Sequence, residues 1–335
     1  VSEADLIAEL DNWFVELQRQ NKFNGVVLLR KDGETKLAKG YGFRDHRKVN
    51  KLSPSSSLRI ASISKQFTAA GIIILKEEKK LKFDDDIKDY IPSIPYSNVT
   101  IRHLLNQTSG IPDIYLDLAK TNKNSFEILS NQIAVELLIK ENRKALSKPN
   151  DQFQYSNTNY VILARIIEII TNSTFEEFMK INLFQPLGML NSRVWNLYSD
   201  DKSFDEQAED MEIEKGKFKK IEPTYIDGVA GDGAVFTSIK DLEIWDDFWY
   251  GKRLLNQASL KEAFTKNTLN NGRLSPYGFG WILTENGMWH NGGWMGARSM
   301  LIRNVKQKKC IAIIDNCSNI YFDKILDEIK KIDDF

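Results

Sequence analysis

Cysteine is scarce in this chain of 335 residues: there are two, Cys310 and Cys317. They flank a strand-like run, Cys310-Ile311-Ala312-Ile313-Ile314-Asp315, at an odd spacing. Odd spacing points two side chains to opposite faces of an extended strand, so no disulfide is expected between them. Histidine is equally rare, with only His46, His103 and His290. No Cys-x-x-Cys pair and no His-Glu-x-x-His run occurs, so neither a metal site nor a cofactor is expected. Charge of one sign is not in excess either. Lys plus Arg and Asp plus Glu both number 46, a formal net charge of zero. A nucleic-acid binder would carry a basic surplus, and that class of partner is set aside. No apolar run approaches the roughly 18 residues needed to span a membrane. A Gly-x-Ser-x-Gly elbow and a Gly-x-Gly-x-x-Gly loop are also missing. The first residue is Val1 and not Met, which is compatible with an upstream segment removed by processing.

What remains is a well-buried globular chain, 42% hydrophobic and 11% aromatic, a composition that fits a folded enzyme and not a disordered segment. Its most informative stretch is Arg59-Ile60-Ala61-Ser62-Ile63-Ser64-Lys65-Gln66-Phe67-Thr68-Ala69-Ala70. An apolar lead-in runs into a small-residue helix pattern, with Ser62 at its mouth and Lys65 three residues on. Positions i and i+3 share one helix face, so the Lys amine can reach the Ser hydroxyl. Serine is a poor nucleophile near neutral pH unless a neighbouring base takes its proton. A helix N-terminus adds N–H groups and the positive dipole end, which favour a developing oxyanion. A second Ser-x-x-Lys, Ser199 to Lys202, lies in an acidic stretch with no apolar helix behind it and is dismissed. Of the histidines, His46 falls in a charged run that reads as a surface loop, and His103 in a short helix where packing is its expected role.

Two further motifs stand in order behind the first. Tyr155-Ser156-Asn157 opens the apolar helix pattern Asn157 to Thr171, and Trp289-His290-Asn291-Gly292-Gly293 lies between strand-like runs. With Ser-x-x-Lys, Tyr-x-Asn and His-Asn-Gly in this order, the chain resembles the penicillin-recognising serine hydrolases. It is most similar to the branch of class C β-lactamases, DD-carboxypeptidases, D-aminopeptidases and esterases. Softer phrases agree: Leu104 to Asp113, Pro186-Leu187-Gly188-Met189 and Gly231 to Ser238. The likeness runs from about Asn24 to Asp315.

The resemblance implies a role for each motif. Ser62 would form an acyl-enzyme, Lys65 would accept or polarise its proton, and Tyr155 would shuttle a proton to the leaving group. Lys65 and Tyr155 titrate as a pair, so which one is the acylation base stays open. Asn157 would bond the substrate's acyl amide or Lys65, and the backbone N–H groups of Ser62 and Gly293 would hold the oxyanion. His290, Asn291 and Gly292 complete the expected substrate-binding edge. Two departures bear on substrate. His290 stands where class C β-lactamases have Lys, and an imidazole (about 6.5) is mostly neutral where an amine (about 10.4) is charged. Asn291 stands for Thr, removing a hydroxyl often used on a substrate carboxylate. The expected activity is therefore hydrolysis of an ester or a D-amino-acid-containing peptide, of DD-carboxypeptidase, D-aminopeptidase or esterase type. The alternatives are a weak β-lactamase and a non-catalytic penicillin-binding sensor or scaffold. Family members act mostly outside the cytoplasm, and the same placement is expected here. The oligomeric state is left open.

The pattern of elements predicts one α/β plus all-α domain over 1–335, a β-lactamase-like fold. Ser2 and Asp5 cap a helix to about Gln20, and Val26 to Ala38 reads as a hairpin around Asp32-Gly33. Helical patterns fill the middle, including Phe126 to Lys144 and Asn157 to Thr171. Tyr198 to Pro223 reads as a charged surface excursion. A helix from Ser238 to Trp249, strands over Tyr277–Leu283, Ala297–Arg303 and Cys310–Asp315, and a helix from about Asn319 to Ile332 follow. Strands at both ends around a helical middle imply an antiparallel sheet built from the two termini, 1–61 with 224–335, and a helical insertion, 62–223, with the site in the cleft between.

Overall fold

The computed structural model describes residues 2–121, 127–251 and 253–332. The chain opens with α1 (Glu3–Arg19), capped reciprocally by Ser2 and Asp5, then the hairpin of β1 (Gly25–Lys31) and β2 (Glu34–Tyr41). A two-residue strand β3 (Leu58–Arg59) leads through a 3₁₀ turn into α2 (Ser64–Glu77). The helical middle comprises α3 (Ile101–Leu105), α4 (Tyr115–Thr121), α5 (Asn131–Glu141), α6 (Asn157–Thr171), α7 (Phe175–Met179) and α8 (Gln185–Leu187). Short strands follow, β4 (Arg193–Val194), β5 (Met211–Glu214), β6 (Lys217–Lys220) and β7 (Val235–Thr237), then α9 (Ile239–Phe248) and α10 (Gln257–Ala263). The chain closes with β8 (Ile282–Leu283), β9 (Gly287–Trp294), β10 (Ala297–Asn304), β11 (Lys309–Asp315) and α11 (Phe322–Ile332).

The main sheet has the order β2-β1-β11-β10-β9-β8, so its first and last segments meet in the middle, with Val27 opposite Ile313. Both faces are covered, which is why β1 and β11 carry unbroken apolar runs, Val26–Leu29 and Cys310–Ile314, that do not alternate. On one face Leu10, Phe14 and Leu17 of α1 and Ile325 and Ile329 of α11 pack on Val27, Ile311 and Ile313. On the other, Val26, Leu28 and Ile314 join the large core shared with α2, α6 and α9. Gly71 lets α2 and α6 approach closely: a β-carbon there would stand 3.2 Å from Ile167, Met179 and Phe178 side-chain atoms. Three buried charges tie the sheet to α9. Asp246 accepts from Arg30 Nη1 at 2.7 Å and from Arg303 Nε at 2.7 Å.

Several expectations need correcting. The helix expected over Phe126–Lys144 is α5 alone, begun by Ser130 capping Ile133 N and ended at Asn142, which adopts φ 46; Phe126 lies outside the described residues. The charged Tyr198–Pro223 excursion also holds a hairpin, β5–β6, closed by Lys215 and Gly216, both with positive φ. Only Ile282 and Leu283 of the Tyr277–Leu283 run are strand; Gly280 at φ +80 folds the segment before them into a turn. The two cysteines are free and buried, and no helix is long and apolar enough to cross a membrane among the described residues.

Candidate active site

Ser62 sits in the 3₁₀ turn Ala61–Ile63 that leads directly into α2, at the mouth of that helix. The turn starts at Ala61, whose φ of 48 lies in the left-handed region that costs a residue with a β-carbon on the order of 1–3 kcal/mol. That kink leaves the Ser62 hydroxyl half-exposed while Ile63 and Ser64 are buried. Ser64 spends its hydroxyl on Val235 N, 3.1 Å away, and does not face the cleft.

Lys65 is wholly buried. Its Nζ donates to Ser62 Oγ at 3.1 Å, Asn157 Oδ1 at 2.7 Å and the Asp232 carbonyl at 2.9 Å. With three oxygens around it, Nζ is fixed in one geometry. Nζ also lies 4.9 Å from the centre of the Tyr155 ring. Tyr155 is half-buried, and its hydroxyl has no protein partner among the described residues.

Asn157 begins α6 and is not its cap. Its Nδ2 donates to Asp113 Oδ2 at 3.0 Å, and Asp113 Oδ1 accepts from Thr158 N at 3.2 Å. A carboxylate at the helix N-terminus thus holds the amide that holds Lys65. Asp232 repeats the pattern: its carbonyl takes Lys65 while its side chain accepts from the Tyr115 hydroxyl. Burial pushes the Asp232 carboxyl up from its ordinary value, against the pull of Lys65. Asp113 and Asp232 stand in phrases the sequence flagged, yet nothing in one chain assigned them a contact, and Tyr115 gave no signal at all.

The third motif lines the opposite wall. His290 is buried on the inner face of β9, its ring centre 6.1 Å from that of Tyr155. Burial, with the charge of Lys65, lowers its pKa to about 3. That direction favours a neutral, hydrogen-bonded ring over a cationic anchor for an anionic substrate. Asn291 is exposed on the other face. Gly292 is packed against the Ser62 turn, where a β-carbon would lie 2.6 Å from Ile60 O and 2.8 Å from Ser62 N. Trp294 and Ala297 close a two-residue hairpin and must be a hydrogen-bonded pair, so the next pair, Gly293 with Arg298, is not. The Gly293 N–H accordingly points off the free edge of β9, since β8 pairs only as far as Trp289. Ser62 and Gly293 line one cleft of about 80 Å³ with Tyr115, Leu116, Ile226, Asp227 and Trp294. His46, by contrast, is bound 2.7 Å from Glu209, and His103 closes the cap of α3. Ser199 donates to Glu176, in keeping with its dismissal. Among the described residues no cluster of His, Cys, Asp or Glu could hold a metal.

Known proteins share this arrangement of elements. The chain is 35% identical over 321 residues to penicillin-binding protein 4* of Bacillus subtilis (strain 168), covering 92% of this chain and 71% of that one. It is 28% identical to protein flp of Staphylococcus aureus (strain N315), covering 94% of this chain and 64% of that one, so it spans less than two thirds of that relative. Among solved structures, the octameric penicillin-binding protein homologue from Pyrococcus abyssi superposes with a TM-score of 0.80 at 25% identity, over 93% of this chain and 74% of that one. The D-amino acid amidase from Ochrobactrum anthropi SV3 has the same fold, at a TM-score of 0.75 and 22% identity over 96% and 99% of the two chains. The family model described as Beta-lactamase matches residues 10–327. This chain belongs to the β-lactamase family and is a serine hydrolase of that family.

Proposed function

We propose that the protein hydrolyses an ester or a D-amino-acid-containing amide or peptide through an acyl-enzyme on Ser62. The observation that supports it best is the buried Lys65 Nζ held 3.1 Å from Ser62 Oγ by Asn157 and Asp232. In this reading Ser62 Oγ attacks the carbonyl carbon, and its proton passes to Lys65 or Tyr155. The N–H groups of Ser62 and Gly293 receive the oxyanion; one such donor is worth ~10²–10³ in rate. The C–N or C–O bond breaks as Tyr155 returns a proton to the leaving group. Water, deprotonated by the same pair, then attacks the ester on Ser62 and frees the acid.

The neutral His290 and the Asn291 side chain favour this over efficient β-lactam hydrolysis, because neither supplies a cation or a hydroxyl for a carboxylate. The apolar wall of Tyr115, Leu116, Ile226 and Trp294 suits an acyl group with a bulky side chain. A neighbour that is a D-amino acid amidase, and a relative that is a penicillin-binding protein, agree with an acyl donor of this kind. Action outside the cytoplasm belongs to the same proposal, resting on the family likeness; cell fractionation checks it.

The test is to incubate the protein with a fluorescent penicillin, a fluorophosphonate, p-nitrophenyl esters and paired D- and L-amino acid amides, following label and turnover together. Turnover with the adduct on Ser62 is expected. Stable penicillin labelling without turnover would favour a sensor, and an adduct on Ser64, Ser156 or Ser199 would overturn the assignment.

A further inference from the structure

Behind the cleft lies a tyrosine that the acyl chemistry above does not use. Tyr277 is fully buried, and its hydroxyl stands 2.8 Å from His290 Nε2. The other ring nitrogen, His290 Nδ1, is 2.6 Å from the carbonyl oxygen of Asn291. A carbonyl can only accept, so Nδ1 carries the ring's hydrogen. In a neutral imidazole Nε2 is then the acceptor, and Tyr277 is the donor. With both nitrogens engaged, the ring can neither flip nor change tautomer without breaking a buried hydrogen bond.

The partners of that ring lead to the reacting atoms. The carbonyl held by Nδ1 belongs to the peptide joining Asn291 to Gly292, which packs on Ser62 N and precedes Gly293. Tyr277 also meets the Tyr155 ring edge-on, with centres 6.0 Å apart at 75°. It is stacked on Phe153 from the other side, at 5.9 Å and 18°. Its own position is fixed from α2. Gly280, in the same turn, comes so close that a β-carbon would lie 2.7 Å from Gln66 Cα and 2.9 Å from the Lys65 carbonyl. One turn therefore rests on the helix of Lys65 and reaches both other motifs.

We propose that Tyr277 is a positioning residue: it locks His290 as the Nδ1–H tautomer and through that ring aligns the Asn291–Gly293 backbone and Tyr155 for reaction at Ser62. The kinetic half of this inference rests on the acyl-enzyme reading; the tautomer does not. The test takes the full chain as wild type, Tyr277→Phe, His290→Asn and the double variant. It measures thermal melting, kcat and KM on a p-nitrophenyl ester, and ¹⁵N NMR of the imidazoles. Wild-type His290 should show a protonated Nδ1 and a bare Nε2. Tyr277→Phe should move the Nε2 resonance of His290 while His46 and His103 stay in place. The same change should lower kcat about tenfold with KM held within about twofold, as expected when alignment is lost and binding is not. In the His290→Asn background it should cost less than about twofold, because residues acting as one unit are not additive. Additive losses, a hydrogen on Nε2, or an Nε2 resonance indifferent to Tyr277→Phe would each overturn the proposal. A wild type with the expected spectrum and no turnover on any ester or amide would count against the acyl-enzyme reading and leave the tautomer lock standing.

Discussion

Gly292 and Ser62 are in backbone contact: a β-carbon at 292 would come within 2.8 Å of Ser62 N, 2.6 Å of Ile60 O and 2.7 Å of Ser299 Oγ. Two of these atoms are main chain and cannot swing aside. Gly292→Ala should therefore displace the nucleophile turn, and a shift of about 1 Å near reacting groups costs on the order of a hundredfold. The expected result is fluorophosphonate labelling slowed by about that factor in a protein that still folds. Wild-type labelling rates would show that β9 and the turn are free to separate.

Tyr155→Phe separates chemistry from packing. The ring keeps its contacts with Tyr277, His290 and Lys65, and the hydroxyl it loses has no protein partner among the described residues. Melting temperature should stay nearly constant while kcat falls by ~10²–10⁴, the range for a positioned acid–base group. A variant that turns over normally would remove Tyr155 from the mechanism.

For His290 the sign is set by burial. With its pKa lowered to about 3, the ring is neutral throughout the range in which the enzyme would be assayed. A carboxylated and an uncharged ester should then give parallel kcat/KM profiles between roughly pH 5 and 9. A selective decline of the carboxylated substrate near pH 6.5 would show a charged imidazole in the cleft. Stability follows the same shift. The unfolded chain protonates this ring near 6.5 and the folded one does not, so its contribution is complete above that pH and is lost as pH falls toward 3. His290→Asn should flatten that part of the melting-temperature profile.

Asp246 carries the charge balance of the sheet. Removing its carboxylate leaves Arg30 and Arg303, both buried, without their shared partner. Asp246→Ala should cost about 3–5 kcal/mol in urea unfolding, the usual penalty for an orphaned buried charge. A loss below 1 kcal/mol would mean that Asp247 or water takes over.

Much of this was legible in the sequence. Ser62 and Lys65 are suggested by their spacing and the apolar helix behind them, Tyr155 and Asn157 by the family resemblance, and all four meet in one cluster. The helix α1 is legible because capping residues and a 3.6-residue apolar period coincide there, and α6 from its strongly apolar run. What was hidden depends on contacts between distant segments. The Asp232 carbonyl reaches Lys65 from 167 residues away, and a main-chain acceptor leaves no trace in side-chain identity. His290 could be located but not given its charge state, since that depends on burial and on the charge of Lys65. The β5–β6 hairpin escaped because its strands, Met211–Glu214 and Lys217–Lys220, are four residues each, charged and mostly exposed, and the alternation of Met211 and Ile213 is too short to stand out.

The pairing of β1 with β11 has a consequence in time. Gly25 lies opposite Asp315, so the central ladder joins segments nearly the whole chain apart. During synthesis at ~5–20 residues per second, α2 and α6 emerge well before their sheet can close. Contacts of such long sequence separation also make folding slow, because the loop-closure entropy comes before the reward. The edge that carries Gly292 and Gly293 is seated against Ser62 only when the last strands arrive. A newly made chain therefore carries Ser62 early and the β9 edge late, and the cleft between them is among the last features it acquires.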